Sequence, residues 1–266
     1  MRLHIHLQPV SRASEIPVDN YPLASTFYRL LYSIAPEYAA FLHEEGFPAP
    51  AGIEFPEEWE PRESYKKFKF FVFSRLAQRD KKIAGDRIRL NDSLATWQIG
   101  SPMDEMMGVL AESLVANPEI TIGDQKSYAT FAVAGIDIAE PPRMNSRLRG
   151  ETISPIFVSV DDTGPDGKRI KHHVRAEDER FAARIAANLR EKYLALTGVP
   201  LEEDEADLAF RFTEAPRSQL VQYKGTHHKC YMGRFALAGD SQLIRLAWEA
   251  GLGEANSKGF GMIEAL

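Results

Sequence analysis

The chain has 266 residues, 44% hydrophobic and 26% charged, with a formal net charge of −6. That composition suits a globular protein with a sizeable core, in two domains of roughly 100–150 residues or one large one, and it argues against a basic protein that coats nucleic acid indiscriminately. A single cysteine, Cys230, excludes an internal disulfide and fits a reducing, cytoplasmic setting.

No apolar run approaches the roughly 20 residues of a membrane span, and MRLHIHLQPV lacks the uninterrupted apolar core of a signal peptide. Met1, Leu3, Ile5 and Leu7 alternate with Arg2, His4, His6 and Gln8, which predicts a strand with one buried face. After a loop at Pro17–Pro22, Leu23–Ser33 carries Phe27, Leu30, Leu31 and Ile34 at helical spacing. Pro36 opens a second helix, where its missing N–H costs nothing, and Gly46 supplies a C-cap. Phe47–Arg62 is acidic and proline-rich and reads as a loop. Tyr65–Leu76 reads as an aromatic strand, and Arg87–Leu90 with Ala95–Gly100 supply the next. Ser101-Pro102 opens a helix with Asp104 and Glu105 in its first turn, ending near Asn117-Pro118. Ile120–Ile122 and Ser127–Ile138 complete a β-α-β-β-α-β order, the ferredoxin-like unit.

Glu140–Gly150, basic and proline-bearing, reads as a link between residues 1–140 and 150–266. Thr152–Val160 starts a second series. A turn at Thr163–Gly167, a basic strand Lys168–Arg175 and a long amphipathic helix Ala176–Leu196 follow. Leu208–Thr213, Gln219–Lys224 and Tyr231–Ala238 are strands, Ser241–Ala250 is a helix, and Phe260–Ala265 is the last strand. The order repeats with one added hairpin arm. The predicted fold is therefore α+β, two tandem ferredoxin-like (RRM-like) domains with a cleft between them, a favoured place for a ligand. Ala215–Gly239 holds Arg217, Lys224, Lys229, Arg234 and two histidines but no acid, which predicts one positive surface on an acidic body.

The last sixteen residues, GLGEANSKGFGMIEAL, hold Gly251, Gly253, Gly259 and Gly261 in two Gly-x-Gly pairs. Glycines so placed describe a shaped backbone, with N–H groups free to meet an anion, or a turn-rich connection. The order helix, loop, strand excludes a dinucleotide fingerprint, which needs strand, loop, helix. The run GLGEANSKGFGMIE resembles the carboxy-terminal glycine-rich loop of the CRISPR-associated repeat-RNA endoribonucleases, the Cas "six" family of the RAMP superfamily. The match includes Gly251, Gly253, Asn256, Ser257, Gly259, Phe260 and Gly261. Phe70–Ser74, Ser113–Glu119 and Thr152–Val158 extend the resemblance over nearly the whole chain. It implies two ferredoxin-like domains and a nuclease that processes pre-crRNA.

Metal-independent RNA cleavage needs a base near the 2′-hydroxyl, an acid near the leaving oxygen, and cations on the developing charge. Of seven histidines, His43 stands out, in the last turn of a predicted helix with loop residues following. Position alone equally describes a surface C-capping histidine. The resemblance assigns it catalysis, because Phe41-Leu42-His43-Glu44 matches the family context, and it maps a family tyrosine onto Tyr28, whose alternative is a core aromatic. The lysine that some members carry just after the histidine is missing here. Lys66, Lys67 or Lys69 could replace it from the adjacent strand, with Lys69 the preferred residue and a solvated strand edge the alternative.

For His4 and His6 burial under a helix weighs slightly ahead of RNA contact, and for the phenylalanines of the aromatic run core packing weighs ahead of base stacking. His227, His228 and Cys230 do not suit a metal, since adjacent strand residues point to opposite faces. His228 and Lys229, with Lys224, read instead as an RNA-facing hairpin. The expected RNA contacts are Gly251, Gly253, Asn256, Ser257, Lys258, Gly259, Gly261, Lys224, His228, Lys229 and Arg149, with Arg143 and Arg147 of the link equally open to solvation. No cofactor or metal is expected. The expected partners are CRISPR repeat RNA and subunits of a CRISPR effector complex, with no membrane and a monomer or homodimer. Two alternatives stay open: a non-catalytic RAMP-family RNA-binding subunit, and a small-molecule enzyme on the same scaffold, for which fold alone gives no warrant.

Overall fold

A computed structural model describes residues 1–10, 15–48, 67–143, 145–163, 169–201 and 207–266. Its first sheet has the order Glu119–Gly123, Tyr128–Ile138, Arg2–Pro9, Ala95–Gly100, Val72–Phe73. Setting the outer strand Glu119–Gly123 aside, the neighbours are the fourth, first, third and second strands of the unit. The second sheet, Leu208–Phe212, Arg234–Gly239, Arg147–Thr152, Ile263–Ala265, repeats that order in reverse. The chain is α+β and consists of two tandem ferredoxin-like units.

The alternation of the first strand places Leu3, Ile5 and Leu7 in the core. They pack with Phe27 and Leu31 of α1 (Tyr21–Ile34), Leu42 of α2 (Pro36–Glu44) and Leu110 of α3 (Asp104–Ala116). His4 and His6 point to the opposite face and are half-buried, and His6 Nε2 lies 2.8 Å from Asp137 Oδ2. In the second unit Phe181, Ile185 and Leu189 of α4 (Glu179–Thr197) join Leu243 and Ala247 of α5 (Ser241–Ala250) over the sheet. Asp240 caps α5 by accepting from the N–H groups of Gln242 and Leu243. Among the described residues no helix is long and apolar enough to cross a membrane.

Arg2 couples the halves. It is fully buried, donates to Trp248 O at 2.7 Å and to Glu264 Oε2 at 3.2 Å, and stacks 4.2 Å from the Trp248 ring. Burial lowers its pKa to about 10, with Glu264 and Glu249 opposing the shift. A desolvated cation–π contact of this kind is worth about 2 kcal/mol.

Several elements differ from the sequence reading. The aromatic run is not one strand: Lys67–Phe68 pairs with Phe47–Pro48, whereas Val72–Phe73 pairs with Ile99 and Gly100. The chain must turn between partners in two different sheets, and Phe70 does so with φ of +49°. Phe68 and Phe70 then enter the second core, and Phe71 and Phe73 the first, so these phenylalanines are core residues. Tyr65 and Lys66 lie outside the described residues, as do residues 164–168. Arg87–Arg89 belongs to a separate small sheet with Glu15–Pro17 and Lys82–Ala84.

Arg147–Gly150 is not link but the first four residues of a six-residue central strand, with Leu148, Gly150 and Thr152 buried and Arg147 and Arg149 exposed. Its basic residues are the solvent side of a period-two pattern. Thr152–Val160 is not one strand either. Beyond an isolated bridge between Ile156 and Tyr231, it leads into a hairpin of Ser159–Thr163 with Arg169–His173. With Arg217–Tyr223 and Thr226–Met232 the second unit therefore carries two hairpin arms. The last strand is shorter than expected, Ile263–Ala265.

Candidate active site

The site begins with the way α2 ends. Gly46, at φ +69°, donates its N–H to Phe41 O and turns the chain back. An added Cβ there would lie 2.9 Å from Phe68 O. The turn permits Phe47 to pair with Phe68, which brings Lys69 to the end of α2. The Lys69 ammonium donates to His43 O and lies 5.6 Å from the centre of the Tyr28 ring. Tyr28 and His43 meet edge to face at 4.9 Å between ring centres. Three side chains, from α1, from α2 and from the residue after Lys67–Phe68, thus converge.

Their surroundings set their chemistry. Burial raises the Tyr28 phenol well above its usual range, with Tyr223 adding to the shift, so Tyr28 keeps its proton near neutral pH and has an O–H to donate. Burial and the neighbouring Lys258 lower the Lys69 pKa. Burial, Lys171 and Lys224 lower that of Lys258. Cations clustered this way repel one another when nothing lies between them, and an anion there relieves both the repulsion and the desolvation.

The glycine-rich loop forms the adjoining wall. Gly251, Gly253, Asn256, Gly259 and Gly261 are buried. The N–H groups of Gly251, Gly259 and Gly261 are used by Ala247 O, Asn256 O and Pro155 O, so they are not free for an anion as the sequence reading had it. The Asn256 amide donates to Leu252 O and Phe260 O. The glycines instead let the loop nest against both units: a Cβ on Gly259 (φ +83°) would lie 2.6 Å from Phe73 and 2.8 Å from Asn20. Ser257 and Lys258, half-buried, are the loop's accessible polar groups.

Two residues that the sequence reading missed hold this loop. Asn20 caps the N-terminus of α1 in position, yet its amide donates across the molecule to Lys258 O and Gly259 O, each at 3.1 Å. Lys192, buried on α4, donates to Gly251 O at 2.7 Å and to Gly253 O at 3.3 Å. A lysine on the apolar side of a helix was the available signal for the second. For Asn20, inside the stretch Pro17–Pro22 read as a loop, there was none.

A third missed residue is Tyr223, at the tip of the hairpin Arg217–Tyr223 with Thr226–Met232. It meets Tyr21 edge to face at 5.8 Å, and Lys258 Nζ lies 5.3 Å from its ring centre. Lys224 stacks on Tyr21 at 4.4 Å, and its N–H reaches Asp19 at 3.3 Å. The hairpin therefore delivers Lys224 and Tyr223 to the α1 side of the site.

His228 lies along the same arm, packed on Phe157 and Phe260 and 6.1 Å from His173 of the other hairpin. Burial, then Lys258, lowers its pKa. Lys229 is exposed on the arm, and Arg149 is exposed on the second sheet. Cys230 is fully buried, and burial pushes its thiol up to about 12.

Residues 138–265 match the family described as CRISPR associated protein Cas6, C-terminal. Over 266 residues the chain is 29% identical to the CRISPR-associated endoribonuclease Cas6 1 of Methanocaldococcus jannaschii, covering 99% of this chain and 92% of the relative. It is 25% identical over 268 residues to the CRISPR-associated endoribonuclease Cas6 of Pyrococcus furiosus, covering 99% and 89%. A solved structure of a CRISPR associated protein Cas6 superposes with a TM-score of 0.75 at 28% identity, covering 100% of this chain and 99% of that one.

Proposed function

We propose that the chain is a member of the Cas6 family, whose C-terminal model residues 138–265 match, and that it is an endoribonuclease that cuts CRISPR repeat transcripts into guide RNAs without a metal ion. The reaction is attack of a 2′-hydroxyl on its own phosphate. The bond from the 2′-oxygen to phosphorus forms as the bond to the 5′-oxygen breaks, leaving a 2′,3′-cyclic phosphate and a 5′-hydroxyl. One proton leaves the 2′-hydroxyl and one reaches the 5′-oxygen, so no co-reactant is consumed.

The observation that carries this reading is the meeting of Tyr28, His43 and Lys69 from three separate stretches. His43 exchanges a proton as base or acid, a task suited to imidazole because its ordinary pKa lies near neutrality. Tyr28, kept protonated by burial, donates to a phosphate oxygen or to the leaving group. Lys69 is fixed by His43 O and faces the charge that develops on the phosphorane. Lys258, Ser257 and Lys224 hold flanking phosphates, while the glycines shape the wall that presents them. His228, Lys229 and Arg149 extend the basic track for the repeat.

The test is cleavage of the repeat RNA in EDTA by wild type and by His43→Ala. A discrete cut that slows roughly 10²–10⁴-fold in the variant, with RNA binding retained, is the expected result. Binding without a cut by wild type would leave the chain as an RNA-holding subunit. An equally active variant would remove His43 from the chemistry.

A further inference from the structure

Between α1 and α2, beside the candidate active site, lies an open pocket of about 530 Å³. Its α1 wall is the stripe Ser25, Tyr28, Arg29, Tyr32 and Ser33, and its α2 wall is Ala39, Ala40, His43 and Glu44. These positions are three and four apart on each helix, so each wall is one helical face. The pocket exists because two alanines face two serines there. Larger side chains would close the helix pair, as they do deeper in the core. Its size is that of small-molecule sites, and it shares Tyr28 and His43 with the candidate active site.

Tyr32 makes the pocket more than a gap. It is 60% exposed, although it sits on the helix that carries Tyr28 one turn away. An exposed tyrosine face beside an acid–base centre is a stacking platform. The rim carries complementary polar groups. Arg29 is held by Thr26 Oγ1 at 2.9 Å and Thr121 O at 2.5 Å, and Glu44 is exposed at the end of α2. A guanidinium donates and a carboxylate only accepts, so together they suit a heterocycle edge that has both acceptor and donor groups. The carboxylate disfavours a phosphate inside the pocket. The phosphate belongs on the other side of Tyr28 and His43, where Lys69 stands.

We propose that this pocket is a nucleobase subsite, in which a base adjoining the scissile phosphate leaves the RNA stack and lies on Tyr32. The proposal rests on the nuclease reading for its placement beside the cut. It adds a determinant of where the cut falls: the enzyme reads one base through Tyr32, Arg29 and Glu44 while His43 acts on the neighbouring phosphate.

The test separates this claim from the nuclease reading by measuring binding. An abasic site is walked one nucleotide at a time through repeat RNA with 2′-deoxy sugars, which cannot be cut, and its affinity is measured for wild type, Tyr32→Ala, Tyr32→Phe and Ala40→Leu. At one position, that of a base next to the cut mapped on unmodified RNA, the abasic site weakens wild-type binding by roughly 5- to 150-fold, the range for a stacked base. Tyr32→Ala loses the same affinity on intact RNA and nothing more on the abasic RNA. Tyr32→Phe recovers most of that loss, because the ring remains, and Ala40→Leu reproduces it by filling the pocket. Equal abasic profiles for wild type and Tyr32→Ala would overturn the proposal, as would a sensitive position away from the cut. Failure of wild type to cut unmodified RNA would refute the nuclease reading, and the binding profile would still show whether Tyr32 holds a base.

Discussion

Replacing Gly259 by alanine tests the idea that the glycine-rich loop is a packing element as well as a recognition element. Gly259 has φ of +83°, and the new Cβ would stand 2.6 Å from Phe73 Cε2, 2.8 Å from Asn20 Nδ2 and 3.0 Å from Phe73 Cζ. Left-handed backbone costs an alanine about 1–2 kcal/mol. Phe73 is fully buried and stacks on Phe71, so it cannot move aside cheaply, and overpacking of that kind costs about 1–3 kcal/mol more. The sum is about 2–5 kcal/mol. Gly225 is the control, because it has a similar φ of +79° and nothing within 4 Å of an added Cβ, so Gly225→Ala bears only the backbone cost. Urea unfolding of both variants, read as a change in midpoint at constant slope, should place Gly259→Ala about 1–3 kcal/mol below Gly225→Ala. Equal stability of the two would refute the packing argument and return the loop to a purely surface role.

Lys69→Met keeps the length of the side chain but removes its charge and the contact to His43 O. Cleavage should slow by roughly 10²–10³-fold, the usual loss of one group aimed at developing charge, with the RNA dissociation constant little changed. An unaltered single-turnover rate would exclude Lys69 from the reaction. Stability should also depend on pH through two histidines of the hairpin arms. His228 has its pKa lowered by burial and by Lys258, His173, Lys171 and His227, and His173 by burial and by Lys171, His172 and Lys229. Both folded values lie below the unfolded value near 6.5, so the unfolded chain binds more protons between the two. Stability should therefore fall as pH drops below about 6.5, until the folded values are reached. His228→Gln should flatten that decline in thermal melts, and an identical pH profile would show that this imidazole is not a source of it.

Strands with one buried face could be read from period two alone, as at Leu3, Ile5 and Leu7, and α5 was delimited at Ser241–Ala250 by its apolar spacing. These are local patterns, and local burial follows from them. The glycine-rich end was likewise visible as composition, and the family resemblance rested on it. Arg147–Thr152 was hidden by its own charges, because a strand with arginines on its solvent side looks like a link until the buried Leu148, Gly150 and Thr152 are seen together. The break at Phe70 could not be foreseen, since it exists only because the two ends of one aromatic run pair with different sheets.

Patterns along the chain were enough for two units of one element order and for the residue types available for chemistry, because each depends on neighbours in sequence, although the second unit's first strand and one of its hairpin arms escaped them. Only the tertiary structure decided that Lys69 reaches His43, that Asn20 and Lys192 hold a loop more than 50 residues away, and that small residues on α1 and α2 leave a pocket beside Tyr32. Those arrangements depend on which surfaces of separate elements meet, and contacts between distant segments leave no periodicity in the chain.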